Sequence, residues 1–200
     1  GCGVALDAAA RGFTVLLLEA EDFAKGTSSR ATKLVHGGVR YLAQGNVSLV
    51  REALAERATL LANAPHLAQP LAFVMPAYRL WEAPFYGAGL KMYDALAGSR
   101  GIGHTEFLSP ARTRELLPNV QPRGLAGGVK YWDGQFDDAR LALALARTAA
   151  QRGAVVLNHC PVTGLLRDGG RVVGVTARDA VGGGADFEVR ARCVVNATGV

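Results

Sequence analysis

The chain has 200 residues, of which 50% are hydrophobic and 20% are charged. This is the composition of an ordinary globular protein that is long enough to bury a hydrophobic core. The net charge of +5 is scattered along the sequence, so it favours anionic small molecules or a membrane surface as partners and argues against nucleic acid.

The sequence has no run of about 18 apolar residues, so it predicts no transmembrane helix. No pattern typical of a secretory signal peptide opens it. The three cysteines, Cys2, Cys160 and Cys193, lie far apart and outside any metal-ligand spacing. They are therefore expected to be buried thiols of a protein in a reducing compartment, without a metal site.

A helix followed by a buried strand is predicted at the start of the chain. Glycines open the segment GCGVALDAAARG, alanines keep it slim enough to lie close on a sheet, and Gly12 suits the C-terminal cap. The apolar run FTVLLLEA then ends in Glu19 and is typical of a strand buried on both faces of a parallel sheet. The periodic segment NVSLVREALAERATLLANAPHL predicts a second helix that ends at Pro65.

From Pro70 to Asp138 the sequence changes character, which indicates a separate layer or a second domain. The segments LAFVMPAYRL and AGGVKYWDGQF are rich in aromatic residues and predict strands. SPARTRELLP predicts a short helix between Pro110 and Pro118.

A long helix and a series of strands are predicted for the remainder. DDARLALALARTAAQRG indicates a helix with Asp137 or Asp138 as its N-cap and Gly153 as its C-cap. The residues after it predict successive strands joined by glycine turns at 168–170 and 182–184.

The first helix and strand contain the second half of a dinucleotide-binding motif. Such a motif needs glycines that let the backbone approach a pyrophosphate, a helix N-terminus that faces this anion, and an acidic side chain that binds the ribose hydroxyls. Gly1 and Gly3 open the helix, and Glu19 ends the next strand about 20 residues later, as the motif requires. The alternative is a glycine-rich helix that packs on a sheet while Glu19 is solvated.

The segment GTSSRATKLVHGGVRYL, from Gly26 to Leu42, combines small hydroxyls, basic side chains and a glycine pair, and it favours an anionic ligand. It resembles the segment that follows the glutamate-ending strand in FAD-dependent glycerol-3-phosphate dehydrogenases of the aerobic type. ALDAAARGFTVLLLEAEDFAKGTSS, KYWDGQFDDARL and VVNATGV are also similar to that family. Cys2 departs mildly from the family's pattern, because a small residue such as alanine is expected there.

The resemblance covers nearly all of these residues but less than half of a complete family member. The chain begins at a helix start and stops within a strand-like pattern, so we expect a fragment that lacks the first strand and the C-terminal half. Without that central strand, residues 1–200 alone are expected to fold poorly, to bind FAD weakly or not at all, and to be inactive.

The resemblance implies an α/β fold class, with a Rossmann-like FAD-binding domain and part of an inserted α+β substrate or cap domain. The FAD-binding domain would comprise residues 1–70 and 139–200. Residues 71–138 would form the cap or substrate-side region.

The resemblance also implies contacts with FAD. Gly1 and Gly3 would lie along the pyrophosphate, and Glu19 would bind the adenosine ribose. Further implied cofactor-binding residues are Thr27, Ser28 and Ser29 at the pyrophosphate, Lys33, Leu34, His36, Gly37 and Gly38 beside the isoalloxazine, Val162 at the adenine, and Ala197, Thr198 and Gly199 through their backbone. The glycines beside the isoalloxazine would let the ring system approach without a Cβ in the way.

Each of these assignments has a structural alternative. Ser28 and Ser29 could cap a helix. Val162 could be an ordinary strand end, and residues 196–199 could simply end the buried strand that we expect before them.

Arg40 and Tyr41 are the candidate substrate-binding residues. Guanidinium groups bind a phosphate monoester through paired, charge-assisted hydrogen bonds, and a tyrosine hydroxyl can add another. The alternative is a solvated arginine with Tyr41 in the core. His36 is a candidate catalytic base, since histidine transfers protons near neutral pH; it could equally orient the flavin through a hydrogen bond.

The activity that the resemblance implies is oxidation of sn-glycerol 3-phosphate to dihydroxyacetone phosphate, by hydride transfer to FAD and passage of the electrons to a quinone. That acceptor implies a cytoplasmic protein at the periphery of the cytoplasmic membrane. The alternatives are a glycerol-3-phosphate oxidase that uses oxygen, an amine or amino-acid oxidase on the same fold, and a non-catalytic nucleotide-binding module.

Overall fold

The computed structural model describes residues 1–42 and 44–199, and for Arg40 it describes the backbone only. The chain forms two compact units. The first unit comprises Gly1–Ala31 and Asp138–Val200, and the second unit comprises Thr32–Asp137.

Six α-helices and nine β-strands lie in the described residues. The helices are α1 (Cys2–Ala10), α2 (Val39–Leu42), α3 (Val47–Asn63), α4 (Glu82–Ala97), α5 (Pro110–Leu116) and α6 (Asp138–Gln151). The strands are β1 (Leu16–Leu18), β2 (Leu34–Val35), β3 (Ala68–Ala77), β4 (Glu106–Leu108), β5 (Gly127–Phe136), β6 (Val155–Leu157), β7 (Val162–Asp168), β8 (Arg171–Arg178) and β9 (Asp186–Arg190). Among these helices, none has the length and the apolar run that crossing a bilayer requires.

A parallel strand pair and two helices form the core of the first unit. β1 pairs with β6 in parallel, with Leu17 opposite Val156. Helix α1 packs against α6 through small side chains, since Ala5 and Ala9 of α1 are buried together with Ala149 of α6. Alanine side chains let the two helices approach closely. Leu17 and Val156 of the strand pair pack against the same cluster, so α1 lies on the strands as predicted and also on α6, which the sequence did not indicate. This parallel pair with its helices confirms the predicted α/β class.

An antiparallel sheet of three strands completes the first unit. β8 lies between β7 and β9 and pairs with both. Gly169 and Gly170 join β7 to β8 with φ angles of 54° and 83°, the left-handed values that a tight hairpin turn needs. The predicted glycine turns are therefore confirmed here and at 182–184, between β8 and β9.

β5 is the central strand of the second unit. It is antiparallel to β3 over its whole length, from Gly127 opposite Ala77 to Phe136 opposite Ala68. β2 and β4 pair with the other edge of β5. Helices α2, α3 and α4 share a hydrophobic core, whose buried members are Leu42, Val50, Leu54, Tyr93 and Ala97.

The first boundary between the two units lies after residue 31, whereas the sequence suggested a domain boundary after residue 70. Residues 32–70 belong to the second unit, because β2 pairs with β5 and because α3 packs on α4 through Val50, Leu54 and Tyr93. The first unit resumes at Asp138, where α6 begins, close to the boundary that the sequence suggested.

The helix ends agree with the predicted signals. α1 ends at Ala10, and Gly12 follows with a φ of 85°, so a glycine in the left-handed region closes the helix. α3 ends at Asn63, just before Pro65. α5 begins at Pro110 with Ser109 as its N-cap. The side chain of Ser109 accepts a hydrogen bond from the amide of Arg112.

Two strand expectations are wrong in part. Residues 193–199 contain no strand in the described part of the chain, and Val195 is 61% exposed instead of buried. A strand needs a neighbour that pairs with its N–H and C=O groups, and no described strand pairs with this segment. β1 forms as predicted, but it is not buried on both faces. Side chains alternate along a strand, so Leu17 packs with the helices while Leu16 on the opposite face is exposed.

The N-cap of α3 offers a direct test of its local stabilisation. Asn46 precedes the helix, and its side chain accepts a hydrogen bond from the amide of Leu49. We expect Asn46→Ala to lower the free energy of unfolding by about 1 kcal/mol, because an N-terminal amide loses its acceptor. Urea unfolding of the complete protein measures this loss. Glu52→Ala, an exposed change on the same helix, is the control and should leave stability nearly unchanged.

Candidate functional site

The start of α1 is open to an anion. Gly1 is the N-cap, its carbonyl accepts the amide of Ala5 at 3.0 Å, and no side chain caps the helix. A Cβ on Gly3 would have nothing within 4 Å, so packing in the described residues does not require this glycine. Amides at an uncapped helix start attract negative charge, which is what a pyrophosphate site requires. The structure also brings Ala197 to this place, 4.0 Å from the position of a Cβ on Gly1.

Glu19 lies at the carboxyl end of the parallel pair. Its amide donates to the carbonyl of Leu157 at 2.9 Å, and its carbonyl accepts the amide of Cys160 at 2.8 Å. The side chain is half-buried, and Oε1 accepts the amide of Glu21 at 3.0 Å. A carboxylate can accept several hydrogen bonds, so Glu19 keeps capacity for a ribose hydroxyl. This position is the one that the dinucleotide motif demands.

The three hydroxyl residues after β1 form a short 3-10 turn, Thr27–Ser29, that packs near α6. No side chain caps this turn. Ser29 Oγ donates to the carbonyl of Ala24 at 2.6 Å, while Thr27 is exposed and Ser28 is half-buried. The hydroxyl of Ser29 therefore stabilises the loop that contains it, whereas Thr27 is an exposed residue.

The remaining candidates of the first unit lie on a strand start and in a loop. Val162 does not follow a strand end directly but opens β7, opposite Ala177, with its side chain 48% exposed. In the loop after residue 190, Asn196 Oδ1 accepts the amide of Thr198 at 3.2 Å and its hydroxyl at 3.0 Å. Gly199 follows with a φ of 77°.

In the second unit, the backbone from Lys33 to Leu34 is joined to β5 and its end. Lys33 has a φ of 63°, an uncommon value for a residue other than glycine. Its carbonyl accepts the amide of Phe136 at 3.0 Å, and its ammonium lies 3.7 Å from Asp137 Oδ1. Leu34 pairs with Gln135 in β2 and β5. Lys33 is therefore held in place from both its backbone and its side chain.

The glycine pair has a packing reason that the sequence analysis did not foresee. Gly37 and Gly38 are both buried. A Cβ on Gly37 would collide with the hydroxyl of Tyr93 and would lie 2.6 Å from Leu54 Cδ2. Gly38 has a φ of 75°, and a Cβ there would lie 2.7 Å from Tyr41 Cδ2. These glycines are thus required by the unit's own core and backbone, whether or not a ring system approaches them.

A buried ionic network lies directly behind Gly37. Asp133 on β5 is bound by Arg57 of α3, with 2.9 Å between Oδ1 and Nη1, and by Tyr93 of α4, with 3.1 Å between Oδ2 and the hydroxyl. Asp133 Oδ1 also accepts the amides of Gly37 at 3.2 Å and Gly134 at 3.1 Å. Arg57, Tyr93 and Asp133 are only 1–3% exposed. We call Arg57, Tyr93 and Asp133 the buried triad.

The electrostatics of the buried triad follow from its burial. Desolvation raises the pKa of the Tyr93 hydroxyl above its usual range, and the nearby negative charge of Asp133 raises it further. Tyr93 is therefore neutral at any working pH and acts as a hydrogen-bond donor. Arg57 Nε is buried without a hydrogen-bond partner among the described residues, so Asp133 and Tyr93 bind this guanidinium through Nη1 alone.

The candidate catalytic and substrate residues flank the glycine pair. The side chain of His36 is exposed. Tyr41, on the short helix α2, is 41% exposed, so the alternative that placed it in the core is wrong. The side chain of Arg40 lies outside the described part of the chain. The structure therefore presents His36 and Tyr41 at the surface on either side of a backbone that Asp133 holds.

The buried triad is the feature that the sequence analysis missed. A signal did exist: Arg57 lies three residues after Leu54 and seven after Val50, so it falls on the apolar face of α3. A charged side chain at such a position must find a buried partner. The sequence does not reveal which acidic residue this is.

The chain is similar to known proteins along its whole length. The model of the DAO family, FAD dependent oxidoreductase, matches residues 1–200. The mitochondrial glycerol-3-phosphate dehydrogenase of Rattus norvegicus is 47% identical over 212 residues, which cover 100% of this chain and 29% of that protein. The glycerol-3-phosphate dehydrogenase of Mycobacterium leprae (strain TN) is 50% identical over 202 residues, which cover 100% of this chain and 34% of that protein.

A solved structure is also similar to the chain. It is that of the glycerol-3-phosphate dehydrogenase from Bacillus halodurans complexed with FAD, with a TM-score of 0.69 and 35% identity. The match covers 95% of this chain and 30% of that one. The chain thus spans about a third of the length of these three glycerol-3-phosphate dehydrogenases.

Proposed function

Since the chain belongs to the FAD dependent oxidoreductase family, we propose that the complete protein that contains it oxidises sn-glycerol 3-phosphate to dihydroxyacetone phosphate. The observation that carries this proposal is the identity of 47% and 50% to two glycerol-3-phosphate dehydrogenases along the whole chain. FAD, when bound, supplies a hydride acceptor for the C2 hydrogen of the substrate.

The residues of the first unit fit the adenine dinucleotide part of this cofactor. The uncapped start of α1 at Gly1 and Gly3 offers amides to the pyrophosphate, and Glu19 offers a carboxylate to the ribose. The remaining proposed contacts in this unit are Thr27, Ser28, Ser29, Val162, Ala197, Thr198 and Gly199. The exposure of Thr27 and of residues 197–199 is compatible with a ligand there.

Residues of the second unit are proposed to contact the isoalloxazine and the substrate. The backbone of Lys33, Leu34 and His36–Gly38 would lie beside the ring system. Arg40 and Tyr41 would bind the phosphate, because a guanidinium and a phenol hydroxyl donate charge-assisted hydrogen bonds to a phosphate monoester. In this proposal the first unit belongs to the FAD-binding domain and most of the second to the substrate side.

His36 has two possible roles in this reaction. As a base it would accept the proton of the C2 hydroxyl at a ring nitrogen while the hydride leaves from C2. As an orienting residue it would donate a hydrogen bond to the flavin. His36→Gln separates the two, because glutamine can still donate a hydrogen bond but cannot take the proton.

The proposal also includes the electron acceptor. We propose a quinone, and with it a position at the periphery of a membrane, since the chain resembles the dehydrogenases in its motifs. An oxidase would return the electrons to oxygen instead. Hydrogen peroxide formed under air by the complete protein would favour the oxidase.

The test is anaerobic addition of sn-glycerol 3-phosphate to the complete protein while the visible absorbance of its flavin is recorded. We expect the substrate to bleach the flavin of the unmodified protein. Arg40→Ala should lose bleaching at the same substrate concentration, because the phosphate loses its guanidinium. Arg51→Ala, an exposed arginine on α3, is the matched control and should bleach normally.

Other outcomes would replace the proposal. A flavin that ignores glycerol 3-phosphate but is bleached by an amine or an amino acid would assign the protein to that oxidase class. A purified complete protein without flavin would assign it to a non-catalytic binding role.

A further inference from the structure

The buried triad meets the candidate site at Gly37. The amide of Gly37 donates to Asp133 Oδ1 at 3.2 Å, and both groups are buried. The contact joins residues 96 positions apart, so it is a tertiary contact and not part of a local turn. Gly37 lies between His36 and Gly38, in the middle of the segment proposed to meet the flavin.

The carboxylate of Asp133 is held from three elements. Arg57 comes from α3, Tyr93 from α4 and Asp133 itself from the central strand β5. Oδ1 accepts Arg57 Nη1 and two backbone amides, and Oδ2 accepts the hydroxyl of Tyr93. With donors on both oxygens, the carboxylate has a single orientation, and its hydrogen bonds are the strong, charge-assisted kind.

Packing against core side chains also restricts the His36–Gly38 segment. The hydroxyl of Tyr93 and the side chain of Leu54 occupy the space where Gly37 would carry a Cβ. The segment therefore cannot move towards the core, and the hydrogen bond to Asp133 prevents it from moving outwards. Its position is set within the second unit, before any ligand is present.

We propose that Asp133, held by Arg57 and Tyr93, is a positioning residue that fixes the His36–Gly38 backbone for the flavin and the substrate. This inference rests on the proposed function. It assigns to the triad an effect on the reaction that does not require contact with either ligand. The physical reason is that rates of transfer between bound groups depend steeply on geometry, so a small shift of this backbone changes the rate more than the affinity.

Two conservative variants of the complete flavoprotein test the inference. Tyr93→Phe removes only the hydroxyl that binds Asp133 Oδ2 and that packs against Gly37. Asp133→Asn keeps the shape of the side chain but removes its charge and one acceptor oxygen. Thr113→Val is the matched control, because it also removes a fully buried hydroxyl from the second unit. That hydroxyl donates to the carbonyl of Ser109 within the first turn of α5 and not to Asp133.

The readouts are the visible spectrum and content of bound FAD, the kcat and KM for sn-glycerol 3-phosphate, and the thermal unfolding temperature. We expect both triad variants to lower kcat by about 10- to 100-fold with a smaller change in KM. We also expect them to change the flavin's absorbance bands, which report its surroundings. Thr113→Val should lower the unfolding temperature while the spectrum and kcat stay as in the unmodified protein.

The inference is overturned if the triad variants, like Thr113→Val, lose only thermal stability. If Asp133→Asn does not fold, Tyr93→Phe alone decides between these outcomes. Failure of the proposed function is recognised separately, because the unmodified protein would then keep its FAD without reduction by glycerol 3-phosphate. In that case an unchanged flavin spectrum in Tyr93→Phe would also overturn the positioning role, and a changed one would support it.

Discussion

Replacement of Arg57 by methionine is expected to lower the free energy of unfolding by about 3–5 kcal/mol. Methionine fills a similar volume, so the loss does not come from a cavity. It comes from Asp133, which is 3% exposed and would keep its negative charge without the guanidinium at 2.9 Å. Breaking a buried ion pair from one side is among the most destabilising single changes in proteins, because the remaining charge is desolvated and uncompensated.

Urea unfolding of the complete protein measures this effect, and a second variant identifies its cause. Arg57→Met combined with Asp133→Asn removes the uncompensated charge, so the double variant should be more stable than the sum of the two single losses predicts. Arg51→Met, on the exposed side of α3, is the control and should stay within about 0.5 kcal/mol of the unmodified protein. Simple additivity of Arg57→Met and Asp133→Asn would contradict the explanation by charge.

Gly37→Ala is expected to cost about 1–3 kcal/mol of stability, although it adds only a methyl group. The new Cβ would overlap the hydroxyl of Tyr93 and lie 2.6 Å from Leu54 Cδ2. Both neighbours are core residues with less than 3% exposure, so neither can move aside freely. The backbone must shift instead, and the hydrogen bond from Gly37 to Asp133 lengthens.

A second glycine in the same unit gives the matched control. A Cβ on Gly89, within α4, would meet nothing within 4 Å. Gly89→Ala should therefore raise the free energy of unfolding by about 0.5–1 kcal/mol, the ordinary gain when alanine replaces glycine in a helix. Urea unfolding should therefore show changes in the free energy of unfolding that have opposite signs in the two variants, because packing restricts Gly37 and leaves Gly89 free. Equal behaviour of the two would refute the account of Gly37.

Local signals account for the elements that the sequence predicted well. Gly12 at the end of α1, Pro65 after α3 and the Gly169–Gly170 turn each impose a backbone geometry that few other residues allow. These signals act over a few residues, so they need no knowledge of the rest of the fold. The dinucleotide position of Glu19 is of the same kind, because it depends only on the length of one helix and one strand.

Helix α4 was not predicted, because its sequence conceals its periodicity. Pro84, Gly87 and Gly89 are poor helix formers. The helix forms because Leu90, Tyr93 and Ala97 bury one face against the core of the second unit. Tertiary packing outweighs local propensity here.

The site was predictable as a list of residue types but not as an arrangement. The glycine pair was expected to make room for a flavin, yet Gly37 is required by Tyr93, which lies 56 positions later in the sequence. The sequence does not mark Asp133 as the partner of Arg57, because it lies within a strand of aromatic and glycine residues. Contacts across such separations follow from the register of β5 and the packing of α3 and α4, which a single sequence does not specify.

The distance along the chain between Gly37 and Asp133 also has a consequence for how the protein is made. During synthesis, residue 133 leaves the ribosome 96 residues after residue 37, a delay of about 5–20 s at ordinary elongation rates. Once Ala97 has also emerged, α3 and α4 can form and pack on each other. Until residue 133 follows, the amide of Gly37 has no carboxylate to bind, and Arg57 has no counter-charge. The His36–Gly38 segment therefore acquires its final geometry only after β5 has emerged and paired with β3. The proposed contact of this segment with a flavin therefore requires that translation has first passed residue 133.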